Sequence, residues 1–160
     1  MRHAAARSRR PLNHMSLDGT RARATVIELL ANIDVDDLEK AIEFYQNALG
    51  LHLARRLFDD TVAEMSGASS RIYLLSKLRG TSAGPLVPQS RDYRRHWTPV
   101  HLDFVVAEVD AAVRQAQAAG ATVEGEMQTH TWGRIATMSD PFGHGFCLLQ
   151  FTGRGYDEVA

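Results

Sequence analysis

The first half of the chain carries a hydrophobic pattern that predicts one β-α-β-β-β unit. Apolar residues alternate with polar ones in a first strand, where Ala31, Ile33 and Val35 share one face. Apolar residues then recur at helical spacing until Gly50, which predicts a helix with Asp36 as its N-terminal cap. Three further short strands are predicted at 51–58, 61–65 and 71–76.

The second half repeats this pattern, which indicates a weak internal duplication. His101 and Asp103 share one face of a strand, and an apolar helical stripe follows until Gly120. Leu30 corresponds to His101 and Gly50 to Gly120, at offsets of 71 and 70 residues. The remaining strands of this unit are predicted at 122–126, 134–139 and 145–151.

A lone unit of this kind would leave one face of its sheet exposed. We therefore predict an α+β fold in which two β-α-β-β-β modules, related by a pseudo-twofold axis, curve their sheets around a shared cavity. The helices should cover the outer faces of the sheets. The strand residues expected to face the cavity are Leu30, Asn32, Asp34, His101 and Asp103.

Changes in composition divide the chain into five segments. These are a basic tail at 1–24, a first module at 25–78, a linker at 79–99, a second module at 100–152 and a C-terminal tail at 153–160. The linker is rich in Gly and Pro, and its second half is basic and aromatic. We expect it to form a lid over the cavity. The alternative is a solvated connector whose aromatic residues pack on a sheet edge.

Overall composition is typical of a globular protein with its own core. The chain has 160 residues, of which 44% are hydrophobic and 23% charged. No apolar run approaches the ~18 residues of a membrane-spanning helix. The single cysteine, Cys147, excludes an internal disulfide. The net charge of −1 gives no reason to expect a nucleic-acid partner.

Charge is unevenly distributed along the chain. Residues 1–24 contain six arginines and one acidic residue, a net charge of +5, which leaves −6 for the remainder. This segment lacks an apolar period and is predicted to be disordered. No apolar run follows the arginines, so a secretory signal is not indicated. A transit peptide, a dispensable tail and a true start at Met15 are the alternatives.

Two motifs and the duplication give the chain a resemblance to a known superfamily. The helix segment 37–45 is followed by Leu-Gly-Leu at 49–51, and the second half contains His101 and the turn Asp-Pro-Phe-Gly-His at 140–144. Over roughly residues 26–151 the chain thus resembles the vicinal oxygen chelate superfamily, which groups glyoxalase I, bleomycin-resistance proteins and extradiol dioxygenases. The resemblance implies paired modules with a cavity at their axis. It does not specify a reaction, because members include lyases, epimerases, dioxygenases, thiol transferases and drug binders.

The resemblance also implies positions for a divalent metal, for which zinc, nickel, manganese and iron are candidates. Metal-dependent members place ligands at positions that correspond here to Leu30, Tyr73, His101 and Cys147. Leucine has no donor atom, and a tyrosine would have to ionise. Glu28 shares the strand face of Leu30, so a shift of two residues could bring it to His101 and Cys147. We expect no stoichiometric metal in the purified protein.

Polar residues of the predicted cavity could bind a ligand or transfer a proton. His101 and Asp103 are the candidate catalytic pair, in which the carboxylate orients the imidazole as a general base. In the alternative, His101 is a wall residue and Asp103 forms a hydrogen bond with Asn32 across the module junction. The turn that contains His144 is expected to lie outside the cavity. The candidate ligand-binding residues are Asn32, Asp34, Tyr73, Tyr93, Trp97 and Cys147. Cys147 is alternatively a small buried hydrophobic residue.

Two classes of function remain open at this point. The first is a small-molecule enzyme, either a lyase or isomerase of the glyoxalase type or a dioxygenase relative, with an atypical or absent metal site. The second is a non-catalytic protein that binds and sequesters a drug. In either class we expect a cytoplasmic protein with a small-molecule ligand and without a nucleic-acid or membrane partner. The sequence leaves open whether the protein forms a homodimer.

Overall fold

The computed structural model describes residues 28–86, 88–97 and 99–160. The basic tail predicted at 1–24 lies outside these residues. In the first half, the elements are β1 Leu30–Val35, α1 Leu38–Leu49, β2 His52–Leu57, β3 Val62–Ser66 and β4 Arg71–Ser76. In the second half, they are β5 Leu102–Val105, α2 Val109–Ala118, β6 Thr122–Val123, β7 Gln128–His130, β8 Gly133–Ser139 and β9 Gly145–Phe151. A 3₁₀ helix, Gly155–Glu158, follows.

The strands form two mixed sheets with the same connectivity. The first has the order β1-β4-β3-β2, and the second has the order β5-β9-β8-β6, with β7 also paired to β8. In each sheet the first strand runs parallel to the last strand of its module, and the β8–β9 and β3–β4 pairs are antiparallel. This arrangement confirms the predicted α+β fold class. Strand β7 is an addition that the sequence did not predict.

Helix α1 begins one residue later than its predicted cap. Asp37, not Asp36, adopts the extended cap conformation, and its carboxylate accepts a hydrogen bond of 3.0 Å from the backbone N–H of Lys40. At the other end, Gly50 has the left-handed φ of 66° that favours glycine. The corresponding residue before α2, Glu108, makes no such capping bond. The two modules therefore share a helix position but not its capping.

Among the described residues, one hydrophobic core contains side chains from both modules. Ala31, Ile33 and Val35 pack on this core, as the alternation along β1 predicts. On α1, the ring of Phe44 contacts the ring of Phe146 from β9 edge-on, with centroids 6.5 Å apart. The side-chain amide of Gln115 on α2 donates to the backbone oxygen of Asn47 on α1 at 2.8 Å. Burial of apolar surface between modules thus fixes how the sheets lie relative to each other.

Residues 88–97, which we call the strap, run from the linker onto the second module. The backbone N–H of His96 donates to the oxygen of Gly143 at 2.9 Å, and the N–H of Gly145 donates to the oxygen of His96 at 3.1 Å. The strap lies so close that a Cβ atom on Gly143 would be 2.7 Å from the backbone oxygen of Arg94. Glycine is needed there for a second reason, since φ at Gly143 is +88°. Within the ranges given above, no helix is both long and apolar enough to cross a membrane.

A candidate ligand site between the two modules

A cavity of about 550 Å³ lies between β1 and the start of β5. Most of its wall is apolar, with a small number of polar side chains. The apolar lining includes Leu29, Leu30, Ala31, Ile33, Val100, Leu102, Phe104 and Phe146. The polar lining consists of Asn32, Asp34, Tyr45, His96, His101 and His144. A concave apolar pocket with a few convergent polar groups is the usual form of a small-molecule site.

The structure places three of the predicted ligand contacts on this wall, namely Asn32, Asp34 and His101. The other predicted contacts are absent from the lining, namely Tyr73, Tyr93, Trp97, Asp103 and Cys147. The expectation that His144 lies outside the cavity was wrong, because its imidazole forms part of the wall. The physical reason is that the strap holds the turn 140–144 against β1.

Besides the backbone bonds at His96, three hydrogen bonds that involve side chains connect the strap, that turn and β1 at the cavity wall. The Nδ1 atom of His144 lies 2.9 Å from Nε2 of His96, and its Nε2 atom lies 2.8 Å from the backbone oxygen of Asp34. The Asp34 carboxylate accepts a 2.6 Å hydrogen bond from Nε of Arg91, which is also in the strap. Asp34 is therefore occupied by a cation from the strap and is not a free carboxylate for a ligand.

His101 is held from two sides. The indole of Trp97 stacks on its imidazole with centroids 4.3 Å apart and planes inclined by 20°. Nε2 of His101 also lies 3.4 Å from the Oδ1 atom of Asp103. The two side chains are 37% and 41% exposed, so water weakens this contact. Asp103 can orient the ring, and the stacked indole fixes its plane. Within the described part of the chain, no hydrogen bond joins Asp103 to Asn32.

Asp103 also faces Cys147, its register partner on β9. Cys147 is 3% exposed. Burial first, and then the charge and hydrogen bonding of Asp103, raise the pKa of Cys147 to about 12. The sulfur therefore stays protonated near neutral pH, and a thiol in this state is a poor nucleophile. This environment agrees with the alternative interpretation from the sequence, in which Cys147 is a small buried hydrophobic residue.

In the first sheet, the register pair that corresponds to Asp103 and Cys147 is Asn32 and Tyr73, and its surroundings are different. Asn32 pairs in register with Tyr73, which pairs with Glu64 on β3. The Tyr73 hydroxyl donates to Glu64 at 3.3 Å, while Arg55 and Arg71 approach the same carboxylate at 2.8 and 3.6 Å. The hydrogen bond from Arg55 lowers the pKa of the Glu64 carboxyl, which stays charged in a site that is 5% exposed. Tyr73 is thus used by an internal ion-pair network.

These surroundings test whether the residues fit a metal of the kind the superfamily implies. Leu30 offers no donor, and Tyr73 is committed to Glu64. Glu28 lines a separate groove beside Ser66–Arg71, away from the other two proposed ligands. In the second module, donor atoms of His101, Asp103 and Cys147 lie within 4.8 Å of one another.

Zinc bonds of about 2.0–2.3 Å would bring these atoms to roughly 3.3–3.8 Å, and the thiol would also have to lose its proton. The four-ligand arrangement therefore does not fit, and the three-donor cluster would have to contract. The absence of a stoichiometric metal stays a prediction.

Sequence reasoning missed Tyr45 as well as His144. The Tyr45 hydroxyl donates to Oδ2 of Asp140 at 2.9 Å, so it ties α1 of the first module to the turn of the second. Burial, followed by the charge of Asp140, raises the pKa of Tyr45 well above its usual range. The sequence pattern indicated only that Tyr45 is one of the apolar positions on the buried face of α1. The aspartate at the start of the turn was the one available signal that a buried donor must approach it.

The fold and the cavity together define a class, the proteins built from paired β-α-β-β-β modules with a small-molecule pocket between them. Residues 31–149 match the glyoxalase-like domain, and the chain belongs to that family. An uncharacterized protein of Mycobacterium bovis is 32% identical over 143 residues, which cover 76% of this chain and 82% of the relative.

Two solved structures extend the comparison. The antibiotic-binding protein TnmS3 from a Streptomyces species is 26% identical, with a TM-score of 0.59 and coverage of 81% of this chain and 99% of the other. A glyoxalase-related enzyme from Fulvimarina pelagi is 16% identical, with a TM-score of 0.60 and coverage of 79% and 88%, and shows the fold alone. An antibiotic-binding protein and a glyoxalase-related enzyme thus share this architecture, and the family match over residues 31–149 confirms the resemblance to the superfamily.

Proposed function

We propose that the protein binds a small, largely apolar organic molecule in the cavity between its modules and holds it without converting it. The observation that carries this proposal is the lining of the cavity, about 550 Å³ of mainly apolar wall with few polar side chains. The missing donor at Leu30 and the occupied Tyr73 argue against the metal chemistry of superfamily enzymes. The likeness to an antibiotic-binding protein supports the same function.

The wall favours a ligand with an aromatic ring. Phe104 and Phe146 contribute aromatic surface, and their own rings meet edge-on with centroids 5.9 Å apart. Trp97 covers one face of His101, so the opposite face of the imidazole is the one a planar ligand could stack on. Asn32 offers both a donor and an acceptor for a polar substituent. The ligand class is therefore a ring system with one or two polar groups.

A panel of two-ring and three-ring aromatic compounds, screened by thermal shift and followed by calorimetry, tests the site. Leu30→Arg places a charged side chain in the cavity wall and should weaken the best compound at least tenfold. Leu78→Arg is the matched control, because Leu78 is an exposed leucine that does not line the cavity. The control should bind within twofold of the unmodified protein. Equal affinities of the two variants would place the ligand elsewhere.

Two further substitutions rank the contacts within the cavity. His101→Ala should weaken binding tenfold or more, equivalent to ~1.4 kcal/mol. Trp97→Ala removes only the support behind that ring and should cost less, on the order of 0.5–1.5 kcal/mol. A larger loss for Trp97→Ala than for His101→Ala would show that the strap, not the imidazole, makes the main contact.

A second function, proton transfer next to an oxygenated carbon, is favoured by the His101–Asp103 contact of 3.4 Å. In that case the imidazole takes a proton from a carbon acid such as an α-hydroxy ketone, and the carboxylate stabilises the resulting cation. The reaction class would be that of an isomerase or lyase. Solvent deuterium exchange into a bound hydroxy ketone tests it. Exchange that is lost in His101→Gln while binding persists would replace the binding-only proposal.

A further inference from the structure

A second, smaller pocket lies at the junction of the modules, where the C-terminal end of α1 approaches β5 and α2. We call it the small pocket, and its volume is about 160 Å³. Phe104 is the one described residue that lines both this pocket and the ligand cavity, so it lies between the two. The main apolar residues of the wall are Leu49, Leu51, Phe104, Val106, Ala112 and Leu148.

The wall of the small pocket combines buried and exposed residues. Ala48, Leu51 and Leu148 are buried and belong to the core. Ala68, in the turn after β3, and Val105, on β5, line the same pocket and are exposed to solvent. The pocket therefore reaches from the surface to the core, and a small molecule can enter it without the unfolding of either module.

Water in the small pocket has few side-chain partners for hydrogen bonds. Among the described residues of the wall, Gln115 is the one with a polar side chain. Its amide nitrogen already donates to the backbone oxygen of Asn47 at 2.8 Å. A well-ordered buried water makes about two to four hydrogen bonds to polar groups. The wall offers fewer from its side chains, so replacement of this water by an apolar group is favourable.

The walls of the small pocket are fixed before any ligand binds. The hydrogen bond between Gln115 and Asn47 ties α2 to the end of α1, so the helices that carry Ala112 and Leu49 keep their spacing. The ring of Phe104 is held edge-on by another ring of the core, with centroids 5.9 Å apart. A ligand would therefore lose little free energy to the ordering of side chains.

We propose that the small pocket is a second binding site, which takes one apolar molecule the size of a single six-membered ring. The volume sets this size, because an apolar cavity of about 150 Å³ lined by Leu, Ile and Phe side chains accommodates one benzene molecule. The wall sets the chemistry, since methyl groups and the ring of Phe104 suit a hydrocarbon without polar substituents.

This site is independent of the proposed function. The ligand cavity is larger, about 550 Å³, and its polar side chains suit a ligand with polar groups. Leu30, Asn32 and His101 line that cavity and do not line the small pocket. The substitution Leu30→Arg should therefore block the ligand cavity and leave the small pocket unchanged.

Benzene is the probe, and NMR of methyl-labelled protein carrying Leu30→Arg shows where it binds. We expect nuclear Overhauser effects from benzene to the methyl groups of Leu49, Leu51 and Ala112. The dissociation constant should be on the order of 1 mM, an affinity that six carbon atoms can supply. The proposal is overturned by the absence of these effects up to the solubility limit of benzene. Effects confined to Ile33, a residue of the ligand cavity, would overturn it as well.

Two substitutions on α2 form a matched pair. Ala112→Phe places a ring inside the small pocket and should weaken the binding of benzene at least tenfold. Ala111→Phe adds the same ring at the neighbouring exposed position, which does not line the pocket, and should leave the affinity within twofold. Equal affinities of the two variants would show that benzene binds elsewhere and would refute the proposal.

A smaller substitution keeps the test valid if Ala112→Phe does not fold. Ala112→Leu fills part of the small pocket and should weaken benzene at least threefold, with Ala111→Leu as its control. Failure of the larger aromatic compounds to bind in the ligand cavity would not alter these outcomes. Loss of the benzene site would likewise not alter the test of the ligand cavity, so the two proposals can fail separately.

Discussion

Replacing Tyr45 by phenylalanine should remove one buried hydrogen bond and leave the surrounding packing intact. The hydroxyl lies 2.9 Å from Oδ2 of Asp140, and the two residues are 4% and 6% exposed. The other carboxylate oxygen already accepts from the backbone N–H groups of Phe142 and His144 at 2.9 and 2.8 Å. Within the described residues, Oδ2 has Tyr45 as its hydrogen-bond donor and would lose it. The edge-on contact with Phe44 is retained by a phenylalanine.

A buried hydrogen bond to a charged group contributes about 1.5–3 kcal/mol to the free energy of unfolding. Because Tyr45→Phe leaves a buried carboxylate oxygen unpaired, we expect it to lower the free energy of unfolding by an amount in that range. For a chain of this size, 2 kcal/mol corresponds to a fall in Tm of roughly 4–8 °C. Urea unfolding followed by circular dichroism measures the free energy, and the slope with denaturant should not change. Tyr156→Phe is the matched control, since Tyr156 is an exposed tyrosine of the 3₁₀ helix, and should change stability by less than ~0.5 kcal/mol.

A double-mutant cycle checks the assignment of this loss to the pair. With Asp140→Ala already in place, adding Tyr45→Phe should cost much less than it does alone, because its acceptor is gone. If Tyr45→Phe matches the Tyr156→Phe control, or if the two losses simply add, the bond between α1 and the turn does not stabilise the protein.

Three other outcomes follow from the sequence and the structure. Elemental analysis of the purified protein should find zinc, nickel, manganese and iron well below one atom per chain. A content of about one atom per chain that is lost in His101→Ala would contradict the prediction that no stoichiometric metal is bound. Cys147 should resist alkylation at pH 8 and react once urea unfolds the chain. Folding raises the pKa of this thiol to about 12. Its contribution to the free energy of unfolding is therefore complete below the unfolded pKa of ~8.5 and is lost as pH rises toward 12. Between these two pH values, Cys147→Ala should lose less stability than the unmodified protein does. Deleting residues 1–20 should leave Tm within a few degrees, and a collapse would show that the tail packs on the fold.

The repeat made most of the fold predictable, because alternation along a strand has a fixed period. On β1, alternation correctly placed Ala31, Ile33 and Val35 against the core. On β5, the predicted cavity face was wrong in part, because Leu102 and Phe104 line the cavity and Asp103 does not. Strand β7 was not predicted, since Gln128–His130 is exposed throughout and carries no alternation. It pairs with β8 through the backbone, which leaves no trace in the pattern.

Fewer features of the candidate site could be predicted from the sequence, because some of its residues meet only through contacts between distant segments. Asn32 and His101 reach the cavity through the strand faces, which are local properties. His144 reaches Asp34 across 110 positions of the chain, and it does so because the strap crosses the turn at Gly143 and Gly145. That crossing depends on the path of a linker without a repeating pattern. Contacts between modules are therefore the part that strand periodicity cannot supply.

The parallel pairing of each first strand has a consequence for the order in which the protein assembles. Leu30 pairs with Arg71 and Leu102 with Phe146, so each pairing closes a loop of 41 or 44 residues. The neighbouring strand pairs of each module are antiparallel and join segments much closer in the chain. Loop closure is slower for distant segments, so we expect β1 and β5 to add to sheets that have already formed. These two strands border the cavity, which would make the ligand pocket the last region to appear during folding. A ligand would then leave the folding rate unchanged and act on lifetime, by slowing the first step of unfolding.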